Sequence, residues 1–401
     1  MKNNHGMIKS TFTAMMIITL AVTGCGKKNA VKTLTVKNTL DIDRTAETVS
    51  IPIDSIRDWV KEYGIENIRV KEGDRALVTQ AIDKESDGIP DELLFQTNIE
   101  ANEEKKFTIE PVKDTPSPSD SLFTTYSRLV PERIDDYAWE NDRVAFRTYG
   151  PKAQQITESG KPGGTLTSGM DCWFKRVTYP IINKWYKKNL DTAGYYHIDH
   201  GEGYDPYHVG NSRGCGGIGV RDKDSLYVSR NFVSYKTIAT GPIRTIFELS
   251  YAPWDANGHS INEKKIISLD LGSNLSRYEV YLESDQPLPN ITIGITLHDQ
   301  KGVVKKDSIQ GWVRYWEPID DSELGTGIVT DPSLIASLPE YRTPVKDQSH
   351  IFVVTKPANA VVYYAGFGWT KSGQYSSSDA WDLYLSNFSK RLVSPLAVTF
   401  R

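Results

Sequence analysis

The sequence predicts a mainly β protein: a large antiparallel β-sandwich with a small N-terminal β domain and a few short helices. Three observations carry this. From Ser225 onward, one strand pattern follows another with little helical periodicity between them. Within that run, Asn290–His298 alternates strictly, Ile291, Ile293, Ile295 and Leu297 against Thr292, Gly294, Thr296 and His298, which sets one face in a core and the other toward solvent or ligand. Finally, Thr115-Pro116-Ser117-Pro118-Ser119 has the composition of a linker and separates a small first unit from the rest.

In chain order, residues 1–24 read as an export signal. Lys2 and Lys9 make a basic start, and Phe12–Thr23 is apolar, uncharged and too short for a stable membrane span. Val22-Thr23-Gly24-Cys25 resembles a bacterial lipobox, so cleavage is expected before Cys25, whose thiol takes the lipid. Residues 25–32 are then a tether. Lys27-Lys28 lacks the acidic residues of a surface-export tag, so the expected location is a membrane-anchored lipoprotein, periplasm-facing or in the outer membrane.

Residues 33–114 form the predicted small β domain. Ser50–Ile53 and Phe107–Ile109 alternate as strands, and Ser55–Tyr63 is one short helix stopped by Gly64. Residues 115–401 form the large domain. Ile182, Trp185 and Tyr186 share a helical face. The strands Thr245–Tyr251, Lys265–Leu271, Arg277–Glu283, Ile351–Thr355 and Ala360–Ala365 follow. Ser378 caps a late helix running to about Val393 with Trp381, Leu385 and Phe388 inward, and Leu396–Phe400 is a last strand.

A mature chain of about 375 residues exceeds one typical core. The net charge of −4 is spread among interspersed acids and bases, so there is no basic stripe for nucleic acid. After the lipidated cysteine only Cys172 and Cys215 remain, and an exported pair invites a disulfide, worth roughly 4 kcal/mol for a loop of about 44 residues in the chain-entropy model. Two separate buried thiols are the alternative.

The chemistry concentrates in His197-Ile198-Asp199-His200-Gly201-Glu202-Gly203-Tyr204-Asp205-Pro206-Tyr207-His208, a glycine-rich loop. Its His and Tyr types suit proton transfer, and β-elimination from a uronic acid needs such a pair. Candidate catalytic groups are His197, His200, Tyr204, Tyr207 and His208, with Arg213 or Arg244 holding the substrate carboxylate bidentately. No cofactor is firmly implied. A divalent metal, zinc or calcium, at this loop is the second reading, although the spacing matches no standard zinc signature. A polar loop that merely satisfies its own backbone is the third.

Other runs offer sugar-binding equipment. Trp139 lies among mixed acids and arginines from Pro131 to Arg147, which otherwise make a charge network bracing the domain junction. Trp312, Tyr315, Trp316 and Glu317 fall close together, and Trp369, Lys371 and Gln374 lie in a glycine-rich run. Flat aromatic faces stack on pyranose rings, but core filling competes with that role for each. Asp83-Lys84-Glu85-Ser86-Asp87-Gly88 resembles the start of a calcium loop, but Leu94 stands where the bidentate acid belongs, so a tight hairpin turn is the better reading.

The runs DDYAWENDRVAFRTYG (from Asp135), DCWFKRVTYPIINKWY, HIDHGEGYD and GPIRTIFELSY together resemble the domain of unknown function numbered 4861, common in Bacteroidetes and other polysaccharide degraders. The resemblance covers nearly all of the mature chain and brings no settled activity. It implies the company of enzymes that degrade pectin-like and other uronic acid polysaccharides. The strand-rich half is also similar to the galactose mutarotase-like supersandwich, and fold analogy is only a prior on function. The expectation is a lipoprotein acting on uronic-acid-containing carbohydrate, lyase-like. A non-catalytic carbohydrate-binding protein, or a sugar epimerase or mutarotase, is the alternative.

Overall fold

The structure, a computed structural model, describes residues 31–112 and 124–401. The signal peptide, Cys25 and the Thr115–Ser119 linker lie outside the described residues. Among the described residues, no helix is long and apolar enough to cross a membrane.

The predicted sandwich is present. A nine-stranded antiparallel sheet runs from Phe232–Ala239 at one edge, through Arg244–Tyr251, His259–Asp270, Leu275–Ser284 and Ala360–Trp369, to Ser322–Thr330, Trp312–Ile319 and Val303–Asp307. It faces a six-stranded sheet containing Cys215–Asp222, Thr292–Thr296 and His350–Thr355. Alternate residues of the two, among them Phe247, Leu249, Ile267 and Leu269 against Ile218, Ile293, Ile295 and Val353, share one core. Fully burying each such side chain contributes roughly 1.5–3 kcal/mol.

The polar face of the Asn290–His298 strand is buried at Thr292, Gly294 and Thr296, and only His298 at its end is partly exposed. Thr292–Thr296 lies between two other strands and every residue is buried. Thr292 Oγ1 donates to Asn290 Oδ1, and Gly294 leaves room for the Arg213 stem, which a Cβ would meet at 2.9 Å.

A five-stranded sheet (order Gly203–Tyr204, Asp171–Lys175, Ala145–Thr148, Asp136–Glu140, Tyr126–Val130) splits its alternation between two cores. Tyr137, Trp139, Cys172 and Phe174 enter the sandwich core, while Ala138, Ala145 and Trp173 pack against a helix. The helices are α1 (Arg57–Tyr63), α2 (Pro151–Glu158), α3 (Ile182–Asp191) and α4 (Ser378–Val393). The start of α3 is held by the buried Glu140 carboxylate, which accepts from the Ile181 and Ile182 N–H groups and pairs with Lys175 at 2.8 Å. The cap of α4 is Ser377, one residue earlier than the sequence suggests, accepting from Ala380 N.

The N-terminal strands share a core built from Leu34, Val36, Ile51, Phe95 and Phe107, with Leu396 and Phe400 packed on it. The chain end returns to this unit: Ala397–Phe400 pairs with Lys32–Lys37, Phe400 opposite Leu34. The Asp83 string lies in the turn between the paired strands Thr79–Ile82 and Glu92–Ile99, with Asp83 accepting from Ser86 and Gly88 N–H groups.

The outer face of the nine-stranded sheet is covered twice. Ile82 and Leu94 pack on Ile243 and Ile246. On the other half, Trp381 and Leu385 of α4 pack on Trp312, Trp316 and Val329.

Candidate functional site

The 195–208 loop begins in a single 3-10 turn, Tyr195–His197, after Gly194 at φ 80°. It ends by adding Gly203–Tyr204 to the five-stranded sheet, opposite Lys175 and Phe174. Gly203 is required there, since a Cβ would lie 1.9 Å from the Phe174 carbonyl oxygen.

Beneath the loop sits a buried charge network. Arg147 donates through Nε to Asp171 Oδ2 at 2.8 Å and through Nη2 to Asp205 Oδ2 at 2.8 Å, and its Nη1 lies 3.8 Å from Asp136. Its cation also faces the Trp173 ring at 5.1 Å. Arg133 donates to Asp136 at 3.1 Å, and both guanidiniums donate to the Tyr196 hydroxyl, at 3.3 and 3.5 Å. Three carboxylates therefore share two cations. Asp171 Oδ1 and Asp205 Oδ1 are buried with no hydrogen-bond partner.

Burial pushes Asp136 up to about 6, with Arg147 and Arg133 opposing. Burial and then the neighbouring Asp171 push Asp205 well up. Burial works against the Arg147 charge, but Asp171 and Asp205 outweigh it and hold the guanidinium protonated.

His197 stands at the edge of this network, half exposed. Its Nδ1 is 2.8 Å from the Asp205 carbonyl oxygen and 3.6 Å from the Asp205 carboxylate. A carbonyl only accepts, so Nδ1 carries a proton, and in the neutral tautomer this leaves the lone pair on Nε2. Nε2 has no hydrogen-bond partner among the described residues.

The other loop residues go elsewhere. His200 stacks on Tyr195 at 4.0 Å. His208 Nε2 is 3.0 Å from Asp347 Oδ1. Tyr204 donates to Asp320 at 2.5 Å, and burial with that carboxylate raises its pKa. The Tyr207 hydroxyl is buried, unpartnered and raised by burial, so neither tyrosine is an accessible base. Glu202 takes Tyr179, Lys184 and Trp185, and Asp199 pairs with Arg176. These donors do not converge as a zinc or calcium ligand set. Among the described residues, the group of such side chains whose ligand atoms all lie within 4.8 Å is Asp83, Glu85 and Asp91.

Several expected binding residues are corrected by burial. Trp139, Trp312, Tyr315, Trp316 and Trp369 are all buried, and their ring faces meet protein. The reason is layering: α4 covers Trp312 and Trp316, while the sandwich core takes Trp139, Tyr315 and Trp369. Arg213 is buried, pulled down to about 10 by burial, and donates to Ser168, Thr167 and Ile218 O. Arg244 forks onto Asp270, leaving no bidentate face for a substrate carboxylate. Lys371 pairs with Asp321, and Gln374 bonds Asn274 and the Arg143 carbonyl. Glu317 accepts from His298 Nδ1 at 2.7 Å, and His298 Nε2 donates to the His208 carbonyl at 2.9 Å, which ties the loop's end to the large sheet. Cys172 and Cys215 stand as free buried thiols in contact with each other rather than as a disulfide, with Cys215 Sγ turned to Gly366 O at 3.3 Å.

Of the three acids in the network, Asp136 and Asp205 lie in runs that the sequence reading names, and Asp171 is the one it passes over. The signal is an acid at the start of Asp171-Cys172-Trp173-Phe174, a strand buried at every position and thus in need of a cationic partner.

A family model described as DUF4861, a domain of unknown function, matches residues 36–398. Uncharacterized protein P7 of Formosa agariphila is 46% identical over 384 residues, covering 94% of this chain and 95% of its own. A glycosyl hydrolase family 38 protein from Enterococcus faecalis has a similar fold, with TM-score 0.50 and 9% identity, over 92% of this chain and 47% of that one. An alpha-mannosidase from Enterococcus faecalis V583 gives 0.46 and 8%, over 92% and 46%. The chain spans about half the length of these two solved structures.

Proposed function

The chain belongs to the DUF4861 family of domains of unknown function, and from that premise we propose an exported, lipid-anchored protein that acts on uronic-acid-containing carbohydrate by β-elimination, with His197 as the base. The lipobox ending in Cys25 supports export and anchoring, periplasm-facing or in the outer membrane. The likeness in fold to a glycosyl hydrolase family 38 protein supports a carbohydrate substrate.

One observation carries the chemistry: Asp205 fixes the His197 Nδ1 proton and leaves Nε2 free at the surface. In the proposed step Nε2 takes the C5 proton of the uronate, and the electron pair forms the C4–C5 double bond. The C4–O bond breaks, and its oxygen takes a proton from the imidazolium or from water. Arg133, a partly exposed guanidinium of the same network, would neutralise the substrate carboxylate.

The test is ultraviolet absorbance of an unsaturated uronide with pectin, rhamnogalacturonan, ulvan and alginate. His197→Ala should lower the rate on the order of 10²–10⁴-fold. The divergence of His200 and His208 into separate contacts favours a second reading, a protein that holds acidic polymer without cleaving it. Retardation of the polymers in affinity electrophoresis with no absorbance from wild type would decide for the binder.

A further inference from the structure

Between the two coverings of the nine-stranded sheet, its outer face is left open. A cavity of about 360 Å³ lies there, floored by sheet residues such as Ser268, Arg277 and Tyr364, walled on one side by Asp43–Thr48 and on the other by α4. The floor follows from register: Arg277 lies opposite Ser268 on one neighbouring strand and Tyr364 on the other, so the three point to the same face. No residue of the 195–208 loop lines it.

We propose that this cavity is a binding site for an anionic sugar residue, carrying a carboxylate or a sulfate ester. Four arginines (143, 244, 277 and 391) line it with three carboxylates (Asp43, Glu47 and Asp270), and Glu279, outside the lining, pairs with Arg277. The arginines are unequal. Arg244 is spent on Asp270. Arg277 gives Nη1 to Glu279, and Arg143 gives Nε to Asn274. Arg391 meets Glu47 through Nη1 and its Nε is buried, which leaves Nη2, with no hydrogen-bond partner among the described residues, as the donor for a ligand. An unpaired guanidinium N–H at a cavity wall is a ready donor, and an anionic oxygen accepts best from it.

Tyr364, Tyr384 and Phe388 supply the apolar half of the wall, Tyr364 edge-on to Phe388 at 4.9 Å. Ring faces beside guanidiniums and hydroxyl-accepting carboxylates fit a charged pyranose better than a purely apolar or purely ionic ligand.

The inference shares with the proposed elimination only the premise that the ligand is an acidic sugar. Its test is therefore binding. Isothermal titration calorimetry of the mature chain uses galacturonate oligomers, sulfated galactose oligomers and neutral galactose oligomers. Binding of either charged series above the neutral one is expected, weakening with salt. The series that binds identifies the anion. Arg277→Gln and Arg391→Gln should each raise Kd roughly tenfold or more, the loss of a charge-assisted hydrogen bond. The melting temperature should be retained, and His197→Ala should bind as wild type. Equal affinity for the neutral oligomers, no binding of any series, or unchanged affinity in both arginine variants overturns the site. Loss of elimination in His197→Ala with intact binding leaves it standing.

Discussion

Arg147, under the 195–208 loop, and Arg391, on the wall of the open cavity, both face carboxylates, but in different surroundings. The Arg147 side chain is 4% exposed, and its nitrogens are bonded to Asp171, Asp205 and the Tyr196 hydroxyl. Arg391 is 19% exposed, meets Glu47 through one nitrogen and keeps another unpartnered. An arginine with every donor used inside the protein fixes geometry for a neighbour, here His197. An arginine with a donor left over at a cavity is available to a ligand. Residue type alone does not separate the two roles. Burial and the count of partners do.

The sharpest way to break this comparison is to remove each cation. Arg147→Ala leaves Asp171 and Asp205 buried and uncompensated, and should cost about 3–5 kcal/mol in urea unfolding. Arg391→Gln removes a partly exposed pair and should cost no more than about 1 kcal/mol. Similar losses for both would show that the burial contrast does not govern their roles.

The same contrast explains which parts of the molecule are legible in the sequence. The strand series after Ser225 and the helix ending at Val393 appear because period two and period 3.6 are local properties of the chain. Trp312 and Trp316 are misleading because alternation shows that a strand has two faces, not whether a second layer covers both. Trp369 is misread for the same reason, being inside the sandwich. The loop's density of titratable groups is legible in the sequence, but its division into three contacts is not. The partners Asp347, Asp320 and Arg147 lie 139, 116 and 58 residues away along the chain. Arg133 and Asp136 fall within the mixed-charge run that the sequence shows, but their partners Tyr196, Arg147 and Tyr186 all belong to the large domain and not to its junction with the N-terminal unit.

Acidification sharpens the comparison next. Asp136 titrates at about 6 in the folded protein because burial disfavours its anion. Its unfolded value is near 3.9, so the group contributes stability that is fully present below about pH 4 and lost as pH rises to about 6. A shift of this size corresponds to at most about 3 kcal/mol. Asp136→Asn should flatten the stability profile between pH 4 and 6, measured by urea midpoints. A profile as steep as the wild type's would show that Asp136 is not the titrating member of the network.

The smallest effect concerns the far end of the loop, where His298 sits between Glu317 and the His208 carbonyl. Burial works against its charge, but Glu317 outweighs this and raises the pKa. The sign is the same as for Asp136 but the window is higher. Stability from this contact is present below the unfolded value of about 6.5 and is lost as pH rises through the folded one. Because His298 accounts for a charge-assisted bond and a carbonyl contact, the loss should be about 1–2 kcal/mol. It should fall locally: the amide-exchange protection of residues 207–210, corrected for the intrinsic pH dependence of exchange, should drop above neutral pH, while protection in the strand Asp171–Lys175 stays unchanged. In His298→Gln that pH dependence should vanish. If protection in Asp171–Lys175 falls in step, the two ends of the loop form one cooperative unit, and the Arg147 network does not hold His197 independently of its far anchor.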